Sequence, residues 1–285
     1  MIPLISEPDD FFIEHCSVEF IALDPMGFPR ENKTNVLRGS LGYALRHVSA
    51  SVYSQVFEPR WDKGPRRYGN APRPFALRWT SEKTLLNPGE RFTFEVLLFA
   101  RRPEWLQPLQ DALIELGNTG ITKTRSRAQL LSFVPAELPF KLPVQTSTTY
   151  DSGRLKVHFV TPTELKTSGA ISIRPEFDLL IGRLVGRIRS LGCGYQGWTR
   201  DWDGRWLQDL AREVELVDFD WEHAPAERRS SRTQQIHPLG GFVGWAEYRG
   251  PITAFAPLLA IGEWTGVGRQ TVWGNGVIHI QHLDP

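Results

Sequence analysis

The chain has only two cysteines, Cys16 and Cys193, in 285 residues. Two thiols make no disulfide framework and no ligand cluster for a structural zinc, which points to a reducing, cytoplasmic setting. No apolar run approaches the length of a membrane span. The opening, Met1 to Asp10, is acidic and too poor in apolar side chains for a secretory signal. A dominant charge is missing as well. The 33 basic and 32 acidic residues leave a net +1, whereas nucleic-acid-binding domains are often strongly basic. No Gly-Lys-Ser/Thr is present, which removes the P-loop, and no strand reads K/R-G-F/Y-G/A-F, which removes the RNA-recognition-motif signature. No two histidines have metal-ligand spacing on one helix and no carboxylate pair stands out, so neither a catalytic metal nor a cofactor is expected.

What the chain does have is glycine near its end. Gly266-Val267-Gly268-Arg269-Gln270-Thr271-Val272-Trp273-Gly274-Asn275-Gly276 places two G-x-G pairs around a five-residue centre with an arginine. Glycine permits positive φ and close backbone approach, and exposed N–H groups beside a cation can hold a phosphate. A dinucleotide fingerprint follows a strand and opens a helix, whereas this loop follows a helical stretch and enters a strand. Gly266, Gly268, Arg269, Gly274 and Gly276 are therefore candidates for tracking a phosphate backbone. Trp273 either stacks on a base or ribose, or wedges the loop against the last helix.

Local charge matters more than the sum. Arg60, Lys63, Arg66, Arg67, Arg73 and Arg78 face Asp62 alone. Lys123, Arg125 and Arg127 form a second cluster, and Arg228, Arg229 and Arg232 a third. Each reads singly as a solvated loop face; together they suggest a basic groove. The irregular stretches Glu58–Pro72 and Ala224–Pro238 are long for loops in a compact domain.

Periodicity organises the rest. Phe12–Leu23 is rich in strand formers, and Asn35–Tyr53 carries Leu37, Leu41, Ala44, Leu45, Val48 and Val52 on one helical stripe. Strands are predicted at Pro74–Trp79, Phe92–Phe99 and Arg127–Val134, with a helix from Glu104 to Leu116. After a proline-containing connection the order repeats. Arg154–Val160 is a strand, and Pro175 opens a helix ending at Gly192. Glu213–Trp221 and Gly241–Arg249 are strands, Pro251–Glu263 is a short helix, and Thr271–His282 is the last strand. Trp198, Trp202 and Trp206 recur every four residues, but Asp203-Gly204 interrupts a helix there, so they are read as a cap on the second core. The expected fold is α+β, with two tandem ferredoxin-like (βαββαβ) domains over residues 10–145 and 150–285.

The G-x-G-x5-G-x-G loop closing a second ferredoxin-like domain resembles the RAMP superfamily of CRISPR-associated proteins. More narrowly, the chain is similar to the endoribonucleases that process CRISPR precursor RNA, the Cas family numbered six. Leu37 to Leu45 resembles that family's first helix. Phe94–Ala100, with the Trp105 helix and the Lys123–Arg127 turn, resembles its second half-domain. Thr161–Lys166 resembles the opening of the second domain, and Leu239–Gly244 with Tyr248-Arg249-Gly250 the strand before the last helix. The resemblance spans nearly the whole chain. It implies a metal-independent cut in CRISPR repeat RNA by 2′-OH attack, leaving a 2′,3′-cyclic phosphate and a 5′-OH. It also implies association with CRISPR effector-complex subunits, or, for a relative that does not cut, a guide-holding role in such a complex.

That chemistry needs a base, an acid and donors for developing charge. Relatives often place a catalytic histidine in or just after the first helix, where this chain has His47. Tyr43 is four residues earlier, about 40° away around the helix axis. The pair either transfers protons, with Arg38 or Arg46 neutralising phosphate, or is a boundary histidine and a packing tyrosine. His15 and His158 read as structural, His223 and His237 bracket the third basic cluster, and His279 and His282 read as exposed. The family often carries cysteines after the first helix; here Ser54–Ala71 has none and is basic and aromatic instead.

Overall fold

The computed structural model describes residues 10–29, 33–60, 71–147, 150–167, 170–172, 174–198, 202–224, 227–229, 236–238 and 241–283. The first half runs β1 (Asp10–Ala22), α1 (Lys33–Val48), α2 (Ala50–Val56), β2 (Phe75–Trp79), β3 (Arg91–Leu98), α3 (Leu106–Thr119) and β4 (Ala128–Lys141). The second runs β5 (Gly153–Thr163), α4 (Phe177–Tyr195), α5 (Arg205–Leu210), β6 (Glu215–Ala224), β7 (Gly241–Gly250), α6 (Ala256–Thr265) and β8 (Ile278–Leu283). Each half forms one four-stranded antiparallel sheet, ordered β2-β3-β1-β4 and β6-β7-β5-β8. Both orders put the first and third strands of the half at the centre, which is the ferredoxin-like arrangement expected.

Strand alternation explains how the halves join. Cys16, Val18, Phe20 and Ala22 of β1 pack with Phe92, Phe94, Val96 and Leu98 of β3 under α1 and α3. Phe11 and Ile13, with Leu97 and Phe99, pack instead in one core with Leu180, Leu184, Ile188, Leu258 and Ile261 of α4 and α6. Side chains alternate across a strand, so β1 and β3 each serve two cores. The helices α4 and α6 therefore lie between the two sheets. Gln196 fastens the contact: its side-chain carbonyl accepts from Phe12 N–H at 3.0 Å, and its amide donates to Phe12 O at 2.9 Å and Phe99 O at 3.0 Å. Trp202 is buried in the second core with Trp198 and Trp206 against it, the capping role expected of the three.

Several boundaries differ from those predicted. The stripe from Asn35 to Tyr53 is two helices, because the Ser49 hydroxyl accepts Val52 N–H and caps α2. The strand β4 continues through Pro135 and Pro139 to Lys141, where a connection was expected. It is an edge strand paired with β1 alone, and an edge tolerates the missing proline N–H. The last strand starts at Ile278; Thr271–Trp273 is a single 3-10 turn bounded by left-handed backbone at Gln270 and Gly274. In the supposedly irregular Ala224–Pro238 stretch, Glu227–Arg229 pairs antiparallel with Ile236–Pro238. Most of Glu58–Pro72 lies outside the described residues. Among the described residues no helix is long and apolar enough to cross a membrane.

The Cys16 thiol sits at zero exposure under α1 and α3, and burial, with the Glu14 charge adding to it, pushes its pKa up to about 12. Titration with a thiol reagent at pH 8 is expected to modify at most one cysteine per native chain, Cys193, and both once the chain is unfolded. Two equivalents consumed rapidly by native protein would contradict this packing.

Candidate functional site

The glycine-rich loop begins where α6 ends. The last carbonyls of a helix have no partner within it. Here two arginines supply donors: Arg78 of β2 donates to Glu263 O and, at 3.0 Å, to Trp264 O, and Arg187 of α4 donates to Thr265 O at 2.9 Å. Desolvation pushes the Arg187 guanidinium down to about 10, still charged at neutral pH and suited to the negative end of the helix dipole. Arg78 was grouped by sequence with a solvated basic cluster; it is instead a contact between domains, its guanidinium 5.3 Å from the Trp264 ring. Arg73 of the same cluster donates to Phe57 O at 2.7 Å.

Within the loop, Val267 N–H donates to Gly276 O at 2.8 Å and Gly276 N–H to Pro162 O at 3.1 Å, which ties the loop to β5. Gly276 has φ +73°, and a Cβ there would lie 2.0 Å from Val267 O. At Gly274, φ +86°, a Cβ would meet the Thr34 hydroxyl at 2.2 Å. Close approach therefore requires glycine at both positions. The Arg269 guanidinium lies 3.2 Å from Glu164, and Lys166 lies 3.1 Å from the same carboxylate oxygen. Two cations share one buried carboxylate, so the mouth of the loop keeps a net positive charge.

The loop also touches the first domain. Thr34 Oγ1 donates to Trp273 O at 2.5 Å. The Trp273 indole packs against the first core, 5.1 Å from the Arg38 guanidinium, which also lies 5.5 Å from the Phe57 ring. Trp273 is thus a wedge against the first helix, not the last one, and the face of Arg38 is covered by aromatic rings.

Toward the other end of α1, about 14 and about 20 Å from Thr34 at 1.5 Å rise per residue, Tyr43 and His47 stand in solvent with ring centroids 4.4 Å apart. Arg46 is exposed beside them, 5.7 Å from the Tyr53 ring. Between the two ends, Ser40 Oγ donates to Ile121 O, joining α1 to the turn that carries Lys123, Arg125 and Arg127. Lys123 and Arg125 are exposed, while Arg127 is bound to Asp24 through its Nε at 3.0 Å and its backbone N–H at 2.9 Å. Asp24 is held below the ordinary carboxylate range by those hydrogen bonds. One helix therefore touches the glycine-rich loop, the basic turn and the Tyr43–His47 pair in succession. Arg228 and Arg229 lie on the short paired strand Glu227–Arg229, and Arg232 lies outside the described residues.

Of the other histidines, His15 lies 3.1 Å from Glu95 and edge-on to Trp264 at the domain contact. His158 bonds Gln281 at 3.0 Å, and exposed His279 pairs with Glu263 at 2.9 Å. The sequence singles out neither Thr34 nor Arg187, and it names no partner for Arg78 or Glu164. Each acts on a residue distant in the chain, and no local spacing marks such a partner.

Comparison with known proteins adds the decisive observation. An N-terminal domain family, AF_1859_N, matches residues 11–158, and the CRISPR-associated endoribonuclease Cas6 family matches residues 157–278. The second half of the chain is a Cas6-family domain. The Cas6 match covers α4, β6, β7, α6 and the glycine-rich loop. No protein of curated function matches the sequence. Among solved structures, a Cas6 product complex aligns with TM-score 0.60 at 17% identity over 94% of this chain and 100% of that one. Thermus thermophilus Cas6 aligns with TM-score 0.55 at 15% identity over 96% and 100%. A Cas6-RT-Cas1–Cas2 complex aligns with TM-score 0.55 at 12% identity over 97% of this chain and 29% of that one. At these identities the structural likeness speaks for the fold, and the family match for the endoribonuclease class.

Proposed function

We propose that this Cas6-family endoribonuclease binds CRISPR repeat RNA across the face that joins the glycine-rich loop to α1, and cuts it without a metal. Precursor transcripts are thereby processed to guide RNAs in the cytoplasm. The observation that carries the reading is the exposed Tyr43–His47 pair, rings in contact at 37°, on the same helix that receives the glycine-rich loop. Arg269, Lys123 and Arg125 supply charge along the path, Arg228, Arg229 and Arg232 extend it, and Arg46 lies nearest the reacting phosphate. Arg38 and Arg127 contribute through packing and the Asp24 pair.

In the chemical step the ribose 2′-oxygen attacks the adjacent phosphorus. His47 takes the 2′-OH proton as the 2′-O–P bond forms. The P–O5′ bond breaks, and Tyr43 gives its proton to the leaving 5′-oxygen. The products are a 2′,3′-cyclic phosphate and a 5′-OH, and return of the proton from His47 to Tyr43 resets the pair. Arg46 opposes the charge that develops on the phosphoryl oxygens.

Incubation of the protein with end-labelled repeat RNA in excess EDTA tests this. One cut with a cyclic-phosphate end is expected. Tight binding without a cut would assign the chain to a guide-holding subunit of an effector complex, and no binding would remove the RNA reading. Arg269→Ala is expected to weaken binding across all repeat sequences and to reduce the slope of log affinity against log salt by about 1, the loss of one phosphate contact. An unchanged slope would take Arg269 off the RNA path.

A further inference from the structure

The glycine-rich loop belongs to the second domain by sequence, yet the first domain holds both the helix end that leads into it and the turn at its centre. Before its start, Arg78 of β2 donates to the carbonyls of Glu263 and Trp264, the two residues that precede Thr265 and Gly266. Within it, Thr34 donates to the Trp273 carbonyl across a sequence separation of 239 residues. A threonine hydroxyl in the first turn of a helix commonly serves that helix's own N–H groups. Here the buried Thr34 hydroxyl serves another domain instead. The space it occupies is one that only glycine at 274 leaves open. Its acceptor lies in the one turn that carries the loop from Arg269 back to Gly276. Displacing Trp273 would move the Arg269–Gly276 segment as a unit, because Trp273 N–H and Gly274 N–H are committed to Gln270 O and Thr271 O within that turn.

We propose that Thr34 is a positioning residue for RNA: its hydroxyl sets the glycine-rich loop against α1 so that the loop's backbone and Arg269 meet the phosphates in register with the Tyr43–His47 pair. This rests on the reading that the loop holds the RNA backbone. The residue touches no RNA itself. It acts by fixing a carbonyl, so the affinity of the loop for phosphate depends on the alignment of the two domains.

The test compares wild type, Thr34→Val and Thr34→Ser in binding of repeat RNA between 50 and 300 mM salt, with melting temperatures alongside. Valine keeps the shape and removes the donor; serine keeps the donor. Thr34→Val is expected to weaken binding about tenfold, the effect of one lost hydrogen bond to a positioned group, and to lower the salt slope by about 1. Its melting temperature should stay within a few degrees of wild type, and Thr34→Ser should restore both affinity and slope. A purely structural role would move the melting temperature and leave the slope alone. If valine proves too unstable to measure, Thr34→Ala removes the same donor with less bulk against Gly274. Wild-type affinity and slope in the folded donor-less variant would overturn the inference, as would equal losses in valine and serine. Wild-type protein that fails to bind repeat RNA would remove the functional reading and this inference together, whereas binding by wild type and Thr34→Val alike removes only the inference.

Discussion

Replacing His47 by alanine lowers the rate of repeat-RNA cleavage at saturating RNA by about 10²- to 10⁴-fold, the range set by loss of a positioned general base, while binding stays within a few-fold of wild type. The separation is expected because His47 is exposed at the end of α1 with its ring against Tyr43. An exposed side chain with so little packing contributes little to stability, so melting should change by no more than a degree or two. Tyr43→Phe keeps the ring against His47 and removes only the hydroxyl. If the phenol delivers the proton to the leaving oxygen, this variant also loses rate and keeps affinity. Single-turnover cleavage with separately measured dissociation constants makes the distinction. Cleavage by His47→Ala at the wild-type rate would remove the proton-transfer role and leave the pair as a surface contact.

The largest structural effect is expected at Gly276. Alanine there would place Cβ 2.0 Å from Val267 O, a backbone atom that cannot swing aside, and would hold a non-glycine residue at φ +73°. Relief requires moving the strand entry, which breaks Val267 N–H to Gly276 O and Gly276 N–H to Pro162 O. Left-handed backbone costs an alanine about 1 kcal/mol, and each lost hydrogen bond about 1 kcal/mol more. A total of about 3 kcal/mol should lower the melting temperature by roughly 6–12 °C for a chain of this size, and RNA affinity should fall with it. Gly186→Ala is the control. Gly186 sits inside α4 with ordinary helical backbone, and a Cβ there meets nothing within 4 Å. Alanine should therefore hold or raise stability by about 0.5–1 kcal/mol. Equal melting of Gly276→Ala and wild type would show that the loop does not need its close approach.

Much of the fold was legible along the chain because its signals are local. Alternation in Phe12–Leu23 and Phe92–Phe99 and the stripe of Leu37, Leu41, Ala44 and Leu45 recur at the periods that strands and helices require. Their order, repeated twice, determines a ferredoxin-like pair. The errors were also local in origin. Ser49 was read as one more position on a helix face, because whether its hydroxyl caps Val52 N–H depends on backbone dihedrals that the stripe does not reveal. Pro135 and Pro139 were read as the end of a strand, although an edge position accepts them.

The candidate site divides along the same line. The four glycines, Arg269, and the i, i+4 spacing of Tyr43 and His47 were visible in sequence, since each depends on neighbours a few residues away. Burial decided the rest. Nothing near Arg78 in the chain says that its guanidinium will cap α6, and nothing near Thr34 says that its hydroxyl will hold a carbonyl of the loop. Glu164 gave no sign that it would take two cations, nor Arg127 that Asp24 would claim it. Composition and periodicity determined which elements form and in what order. Only the packing of α4 and α6 between the two sheets decided which charges face solvent and which are consumed inside, because hydrogen bonds and ion pairs act over a few ångströms of space regardless of distance along the chain.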